Sequence, residues 1–161
     1  MRMRIPAVVV SLTAMLGCSG ASTMPPGFNE ACYGGNFTKN LAGAKPEYSA
    51  TLAIPHSSRP ELRGVLFELA AKHSLKAFDD GANYAALDFS SVYLCSSTGA
   101  FVKVDSRVAG EDAVRVDVFT YQGLWRPGPF VADLRAALVS RWPDGLRDND
   151  PSDTTLGNSV L

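Results

Sequence analysis

The alternation of apolar and polar residues in the first part of the domain predicts a strand followed by a helix. Every second residue from 48 to 54 is apolar, and the residues between them are mostly polar. This two-residue period is typical of a half-buried strand, and Pro55 ends the run. Ser58 and Glu61 have the spacing of a capping box, and apolar residues follow them at helical spacing. We therefore predict a helix over residues 59–74.

Four further strand-like runs follow this helix, separated by polar segments that contain turn-forming residues. These runs are residues 75–78, 84–95, 100–107 and 113–121. The short connections between the last three of these runs favour an antiparallel meander. Gly128 and Pro129 then open a second helix with an apolar stripe, which Pro143 ends.

The predicted order of elements is β-α-β-β-β-β-α. The simplest packing of these elements is an α+β fold, a two-layer sandwich in which two helices cover one face of a mostly antiparallel sheet of about five strands. We expect a single domain over residues 31–143. The polar residues 144–161 are expected to form a disordered tail.

Length and charge limit the classes of function. The chain has 161 residues, of which 46% are hydrophobic, and this is enough for one domain with a substantial core. Its 15 Lys and Arg residues are balanced by 16 Asp and Glu residues, for a formal net charge of −1. Because there is no basic surplus to neutralise phosphates, nucleic acid is not an expected partner.

The N-terminal residues have the organisation of a secretory signal. Two arginines precede an apolar stretch over residues 5–16, and Gly17 places a small residue directly before Cys18. The apolar stretch is shorter than the roughly 20 residues that a membrane-spanning helix requires. We therefore predict a signal peptide over residues 1–17.

The end of this segment, Leu16-Gly17-Cys18, resembles the lipobox of bacterial lipoproteins. It departs from the family pattern at Leu16, where Ala or Ser is preferred, and at Met15, where Leu is preferred. The resemblance implies that Cys18 is acylated, becomes the first mature residue and attaches the protein to a membrane. Ser19 directly after it implies the outer membrane of a double-membrane bacterium, with the domain facing the periplasm.

The segment that follows the cysteine has the composition of a tether. Residues 18–30 are small, polar and rich in Pro and Gly, which is typical of a flexible linker. The alternative is an ordinary secretory signal cut near Ala21 or Ser22, which would discard Cys18. We favour the lipoprotein, because a lipid anchor needs such a spacer.

If Cys18 carries lipid, an even number of cysteines, two, remains in the mature chain. In an oxidising compartment the natural expectation is a disulfide between Cys32 and Cys95. A bridge closing a loop of some 60 residues would stabilise the fold by roughly 4 kcal/mol on the chain-entropy model. The alternative is a pair of buried free thiols.

The sequence contains no recognisable catalytic or metal-binding motif. Its histidines are His56 and His73, and we expect both to be structural or solvated, with His73 favourably placed at the C-terminal end of a helix. Neither a nucleophile elbow nor a zinc-binding helix motif is present. We therefore predict no catalytic residues, no metal and no cofactor.

The connection before the second helix carries the side chains most often found at binding hot spots. Tyr121, Leu124, Trp125 and Arg126 lie in a Gly/Pro-rich segment, where the chain usually runs at the surface. They are our candidates for contact with a partner. The alternative, which we favour, is that Trp125 and Leu124 fold under the second helix and anchor it to the core.

Together these features favour a small envelope-anchored lipoprotein that acts as a protein-binding module and not as an enzyme. It would be an accessory subunit of an envelope assembly or a periplasmic inhibitor of the immunity-protein kind. The alternative is a small-ligand carrier or a hydrolytic enzyme whose site is built from dispersed residues. Convergent polar groups in an enclosed site would favour that alternative, since the fold alone does not decide between them.

Overall fold

A computed structural model describes residues 44–79, 91–106, 109–110, 112–120 and 125–150. Within these ranges the strands are β1 (Tyr48–Ala53), β2 (Lys76–Asp79), β3 (Ser91–Cys95), β4 (Ala100–Asp105), β5 (Ala113–Thr120) and β6 (Leu146–Asp148). The helices are α1 (Arg59–Lys72) and α2 (Pro127–Arg141), and a 3₁₀ turn, His56–Ser58, leads into α1.

The predicted α+β class is confirmed. The strands form one sheet in the order β2-β3-β4-β5-β1-β6, and every neighbouring pair is antiparallel. The sheet has one strand more than the approximate count that we expected. Strands β3 to β5 form the predicted meander, and β2 pairs with its β3 edge. Strand β1 lies at the other edge and pairs with β5 and β6. The connection from β1 through α1 to β2 therefore crosses three intervening strands.

One face of the sheet packs against both helices and forms the main core. The strand register brings its apolar side chains into rows across the sheet, so that Val104 lies between Val92 and Val116. From the helices, the fully buried side chains of this core are Leu62, Leu66, Phe130, Leu134 and Leu138. Burial of each such side chain stabilises the fold by about 1.5–3 kcal/mol relative to exposure.

The start of α1 differs from the prediction, because the capping box does not form. Ser58 makes no side-chain cap hydrogen bond. A capping residue needs an extended backbone, whereas the backbone of Ser58 is helical (φ −91°, ψ −3°). The reason is the 3₁₀ turn, which leads directly into α1. In this turn the Ser58 amide donates to the Pro55 carbonyl at 2.9 Å. Glu61 lies instead 3.5 Å from Arg141 of α2.

The prediction of a disordered tail is wrong for residues 144–150. Leu146–Asp148 pairs with the edge of β1 as strand β6, and backbone hydrogen bonds of 2.9 Å flank the pair at Gly145 and Asn149. A strand of three residues is too short to show a period in the sequence. Residues 151–161 lie outside the described residues.

Side chains from α2 and β1 hold β6 in place. The Tyr48 hydroxyl donates to the Asp148 carboxylate at 2.9 Å, and the Arg135 guanidinium pairs with the same carboxylate. Burial, together with the hydrogen bond to Asp148, raises the pKa of Tyr48 to about 12. Asn149 exchanges hydrogen bonds with Thr51 at 3.1 and 3.2 Å. The C-terminal end of the described chain is thus a paired part of the sheet.

The predicted signal peptide, the lipidation site Cys18, the tether and Cys32 all lie outside the described residues. So do Tyr121 and Leu124 of the predicted contact segment. Among the helices that the structure describes, none is long and apolar enough to cross a membrane.

We predict that Gly145→Ala destabilises the fold through β6. A Cβ atom at this position would lie 2.6 Å from the carbonyl oxygen of Ala53, and backbone atoms cannot yield as a flexible side chain can. We expect the free energy of unfolding in urea, followed by circular dichroism, to fall by about 1–3 kcal/mol.

Gly64→Ala is the matched control for this substitution. Gly64 is exposed within α1, and a Cβ there meets nothing within 4 Å. Because alanine favours a helix interior, this variant should gain about 0.5–1 kcal/mol. A Gly145→Ala protein as stable as the parent would show that β6 does not approach β1 this closely.

Candidate functional site

The end of α1 is shaped so that His73 reaches the second helix. The amide of Leu75 donates to the carbonyl of Ala70 at 2.8 Å, and the amide of Ser74 donates to the carbonyl of Ala71 at 3.3 Å. Ser74 adopts the left-handed conformation (φ 56°) that commonly ends a helix with this bonding pattern. His73, the residue before the turn, contacts α2.

His73 and Lys72 share one carboxylate from α2. Both the His73 Nε2 atom and the Lys72 Nζ atom lie 2.8 Å from Asp133 Oδ2. Hydrogen bonds from Lys72 and then from His73 hold the pKa of Asp133 below its usual value. The sequence suggested a favourable position for His73 at the helix end, but it did not reveal the partner 60 residues away.

A row of aromatic rings connects this carboxylate cluster to the predicted contact segment. The Phe130 ring, fully buried at the start of α2, meets the His73 ring edge-on with centroids 5.3 Å apart. On another side it meets the indole of Trp125, with centroids 5.7 Å apart. Trp125 is only partly buried, and the adjacent Arg126 is exposed.

We call this group of residues the helix-end surface: Lys72, His73, Trp125, Arg126 and Asp133. Of the predicted contact residues it contains Trp125 and Arg126. Trp125 packs against the core, as the anchoring interpretation requires, and still presents part of its side chain to solvent. The surface therefore combines a fixed aromatic ring with cationic groups.

The opposite face of the sheet carries a second cluster, which we call the charge square: Lys103, Asp105, Arg115 and Asp117. Lys103 pairs with Asp105 on β4 at 2.9 Å, and Arg115 pairs with Asp117 on β5 at 3.0 Å. The register also sets Lys103 opposite Asp117 and Asp105 opposite Arg115. Each charge thus has an opposite charge along its strand and across the sheet.

The charge square is largely removed from solvent. Lys103, Asp105 and Asp117 are 9%, 3% and 6% exposed, and the Ser49 hydroxyl donates to Asp117 at 2.7 Å. Pairing and hydrogen bonds of this quality are needed to offset the cost of burying charges. The Nη2 atom of Arg115 is also buried, and it has no hydrogen-bond partner among the described groups.

Three aromatic side chains and a disulfide-bonded cysteine also lie on this face. Phe101 lies between Tyr93 and Phe119, with ring centroids 6.1 and 5.9 Å away, and all three side chains are buried. Cys95 forms a disulfide bond. Its predicted partner, Cys32, lies outside the described residues, so the pairing of these two cysteines stays a prediction.

We predict that Asp133→Asn reduces the acid sensitivity of the fold. Folding lowers the pKa of this carboxylate from its ordinary value of 3.8, and the charged form therefore stabilises the folded state. This stability is fully present above the unfolded pKa and is lost as pH falls through the folded pKa. The difference in unfolding free energy between parent and variant should therefore be largest near neutral pH and shrink in acid. Urea unfolding over a pH series measures it.

The matched variant for this test is Lys72→Gln, which removes the main cause of the lowered pKa and leaves the carboxylate. It should lose part of the same pH-dependent stability. An Asp133→Asn protein that keeps the full acid dependence of the parent would exclude this carboxylate as its source.

Two observations bear on what these clusters can do. Among the described residues, no group of three or more His, Cys, Asp or Glu side chains is placed to hold a metal ion. Comparison of the chain with protein-family models, curated proteins and solved structures gives no significant match.

Proposed function

We propose that the domain is a protein-binding module of the bacterial envelope and that it contacts its partner through the helix-end surface. The observation that carries this proposal is the placement of Trp125, which is held against the buried ring of Phe130 and remains partly exposed beside Arg126. Trp and Arg are the side chains most enriched among residues that dominate binding energy.

The fixed position of the indole matters for the energetics of binding. A side chain that is already ordered loses little conformational entropy when a partner covers it. Phe130 is fully buried in the main core and thus provides a rigid support for Trp125. The exposed part of the ring can be buried in a complex at little entropic cost.

The proposed location in the envelope follows from the lipobox-like sequence. Lipidation at Cys18 would attach the domain to the outer membrane, and residues 18–30 would let it move relative to the bilayer. A tethered domain of this kind suits an accessory subunit of an envelope assembly or a periplasmic inhibitor. In either role the partner is a protein of the same compartment.

Site-specific photo-crosslinking in cells tests this proposal. A photoreactive residue at Ala132, an exposed position near the start of α2, should give a discrete crosslinked product with one envelope protein. The matched control is Ser140, which is exposed near the other end of the same helix. No product from position 132, or equal products from both positions, would contradict the proposed surface.

The contribution of the indole can be measured once the crosslinked protein has been identified. Trp125→Ala should weaken binding to the purified partner by about 30-fold, the effect of losing roughly 2 kcal/mol at a hot spot. Val139→Ala, a change at an exposed position on α2, should leave the affinity within about twofold. Circular dichroism establishes that both variants are folded.

A small-ligand carrier is the second candidate function, and the buried Nη2 atom of Arg115 is the observation that favours it. Asp117 already pairs with the Nε atom of Arg115, and the Nη2 atom can still donate a hydrogen bond. A ligand carboxylate has the oxygen acceptors that such a donor needs. This candidate would use the charge square and not the helix-end surface.

Thermal unfolding in the presence of small carboxylates tests the second candidate. A ligand at 100 times its Kd stabilises the folded protein by about 2.7 kcal/mol, which raises the melting temperature measurably. The increase should be absent in Arg115→Gln and retained in Arg147→Gln, a change at an exposed position on β6. If no carboxylate stabilises the parent protein selectively, the charge square is structural.

A further inference from the structure

The sheet face that carries the charge square is buried, although both helices pack on the other face. In a single copy of the chain Tyr93, Phe101 and Phe119 are 3%, 1% and 1% exposed, and none of them belongs to the core that the helices form. Every described strand belongs to the sheet itself, and the described connections join the ends of its strands and helices. The cover of this face therefore comes from chain outside the described residues.

Burial on this face is confined to the centre of the sheet. The register places Lys76 of β2 and Arg147 of β6 on the same face as the three rings, and both are exposed. The rings lie on β3, β4 and β5, and the outer two of these strands are roughly 10 Å apart. Without a cover the rings would form an apolar patch of a size that monomeric proteins rarely expose. The pattern fits a narrow segment of chain over the centre of the face.

The disulfide at Cys95 attaches the N-terminal part of the chain to this face. Cys95 follows Leu94 of the main core, so its side chain lies on the other face, and the register sets it opposite Phe101. The other cysteines of the chain are Cys18 and Cys32. Both precede residue 44, so either pairing brings chain from before β1 to the aromatic rings.

The chain between Cys32 and β1 is long enough to provide the cover. Cys95, Phe101 and Phe119 form one row across β3, β4 and β5, and the Glu47 amide, just before β1, donates to the Val118 carbonyl beside this row at 2.8 Å. From β3 to β1 the distance is three strand spacings, roughly 14 Å. The chain from residue 32 to residue 44 can extend to about 40 Å. Its additional length is available to lie over the face.

We propose that residues 32–43 cover the aromatic rings of this face and that a disulfide between Cys32 and Cys95 fixes them there. Tyr33, Phe37 and Leu41 supply apolar side chains for contact with the rings, and Lys39 is the one charged residue of the segment. The second face of the sheet then depends on the oxidised state of the bond. This inference goes beyond the proposed partner surface and stands or falls without it.

Hydroxyl-radical footprinting of the full chain, read by mass spectrometry, tests the proposed cover. Cys32→Ser changes no residue of the sheet and should raise the oxidation of Tyr93 and Phe101 severalfold, because the segment is no longer attached. The matched control is Cys18→Ser, which should leave both rings as protected as in the parent protein. Phe130, which is buried beneath the helices, should stay protected in all three proteins.

Each outcome of the footprinting decides for or against the proposal. Unchanged oxidation of Tyr93 and Phe101 in Cys32→Ser would overturn it and assign the cover to another segment, such as residues 80–90. Increased oxidation in Cys18→Ser alone would overturn the pairing of Cys32 with Cys95. Increased oxidation that includes Phe130 means that the variant has lost its fold, and the unchanged protein then provides the test.

Chemical crosslinking of lysines supplies this second measurement. Lys76 is exposed at the edge of the covered face, opposite Cys95, whereas Lys72 is exposed on α1 in the helix layer. A short amine-reactive crosslinker should join Lys39 to Lys76 in higher yield than to Lys72. Reduction of the disulfide by a dithiol, which is itself oxidised to a disulfide while both cysteines become thiols, should remove this preference. A Lys39–Lys76 product no more abundant than the Lys39–Lys72 product would contradict the proposal.

Discussion

The register between β1 and β5 is the constraint on which the core and the charge square both depend. Leu52 lies opposite Val114, which puts the apolar side chains of β1 on the face that the helices cover. The same register sets Ser49 against Asp117 on the other face, where its hydroxyl stabilises the charge square. Because side chains alternate along a strand, a shift of one residue would exchange the two faces of β1 and disrupt the core and the charge square together.

The elements with a clear period could be predicted from the sequence, and those that depend on distant contacts could not. The alternation along β1, the strand-like run at β5 and the apolar spacing along the two helices identified four elements correctly. Strand β6 was missed because its three residues are mostly polar and are held by Tyr48 and Arg135 from other elements. The capping box failed for a different reason, since residue spacing does not determine the backbone angles at Ser58.

The candidate sites show the same division. The composition of the segment before α2 pointed to Trp125 and Arg126, which the structure places at the helix-end surface. It could not point to His73 and Asp133, because only the packing of α1 against α2 brings them together. Because side chains alternate between the faces of a strand, Arg115 and Asp117 of β5 share a face, but alternation does not reveal whether that face is covered.

The charge balance of the two clusters assigns them different physical roles. Two cations and two anions make the charge square neutral, so it exerts little force beyond its immediate contacts. At the helix-end surface, the cations of Lys72 and Arg126 are set against the carboxylate of Asp133. Because only unbalanced charge steers an approaching protein over a distance, the helix-end surface is the better suited of the two to a macromolecular partner. Three of the four charged residues of the charge square are buried, so a group that contacts the Nη2 atom of Arg115 there has to be small.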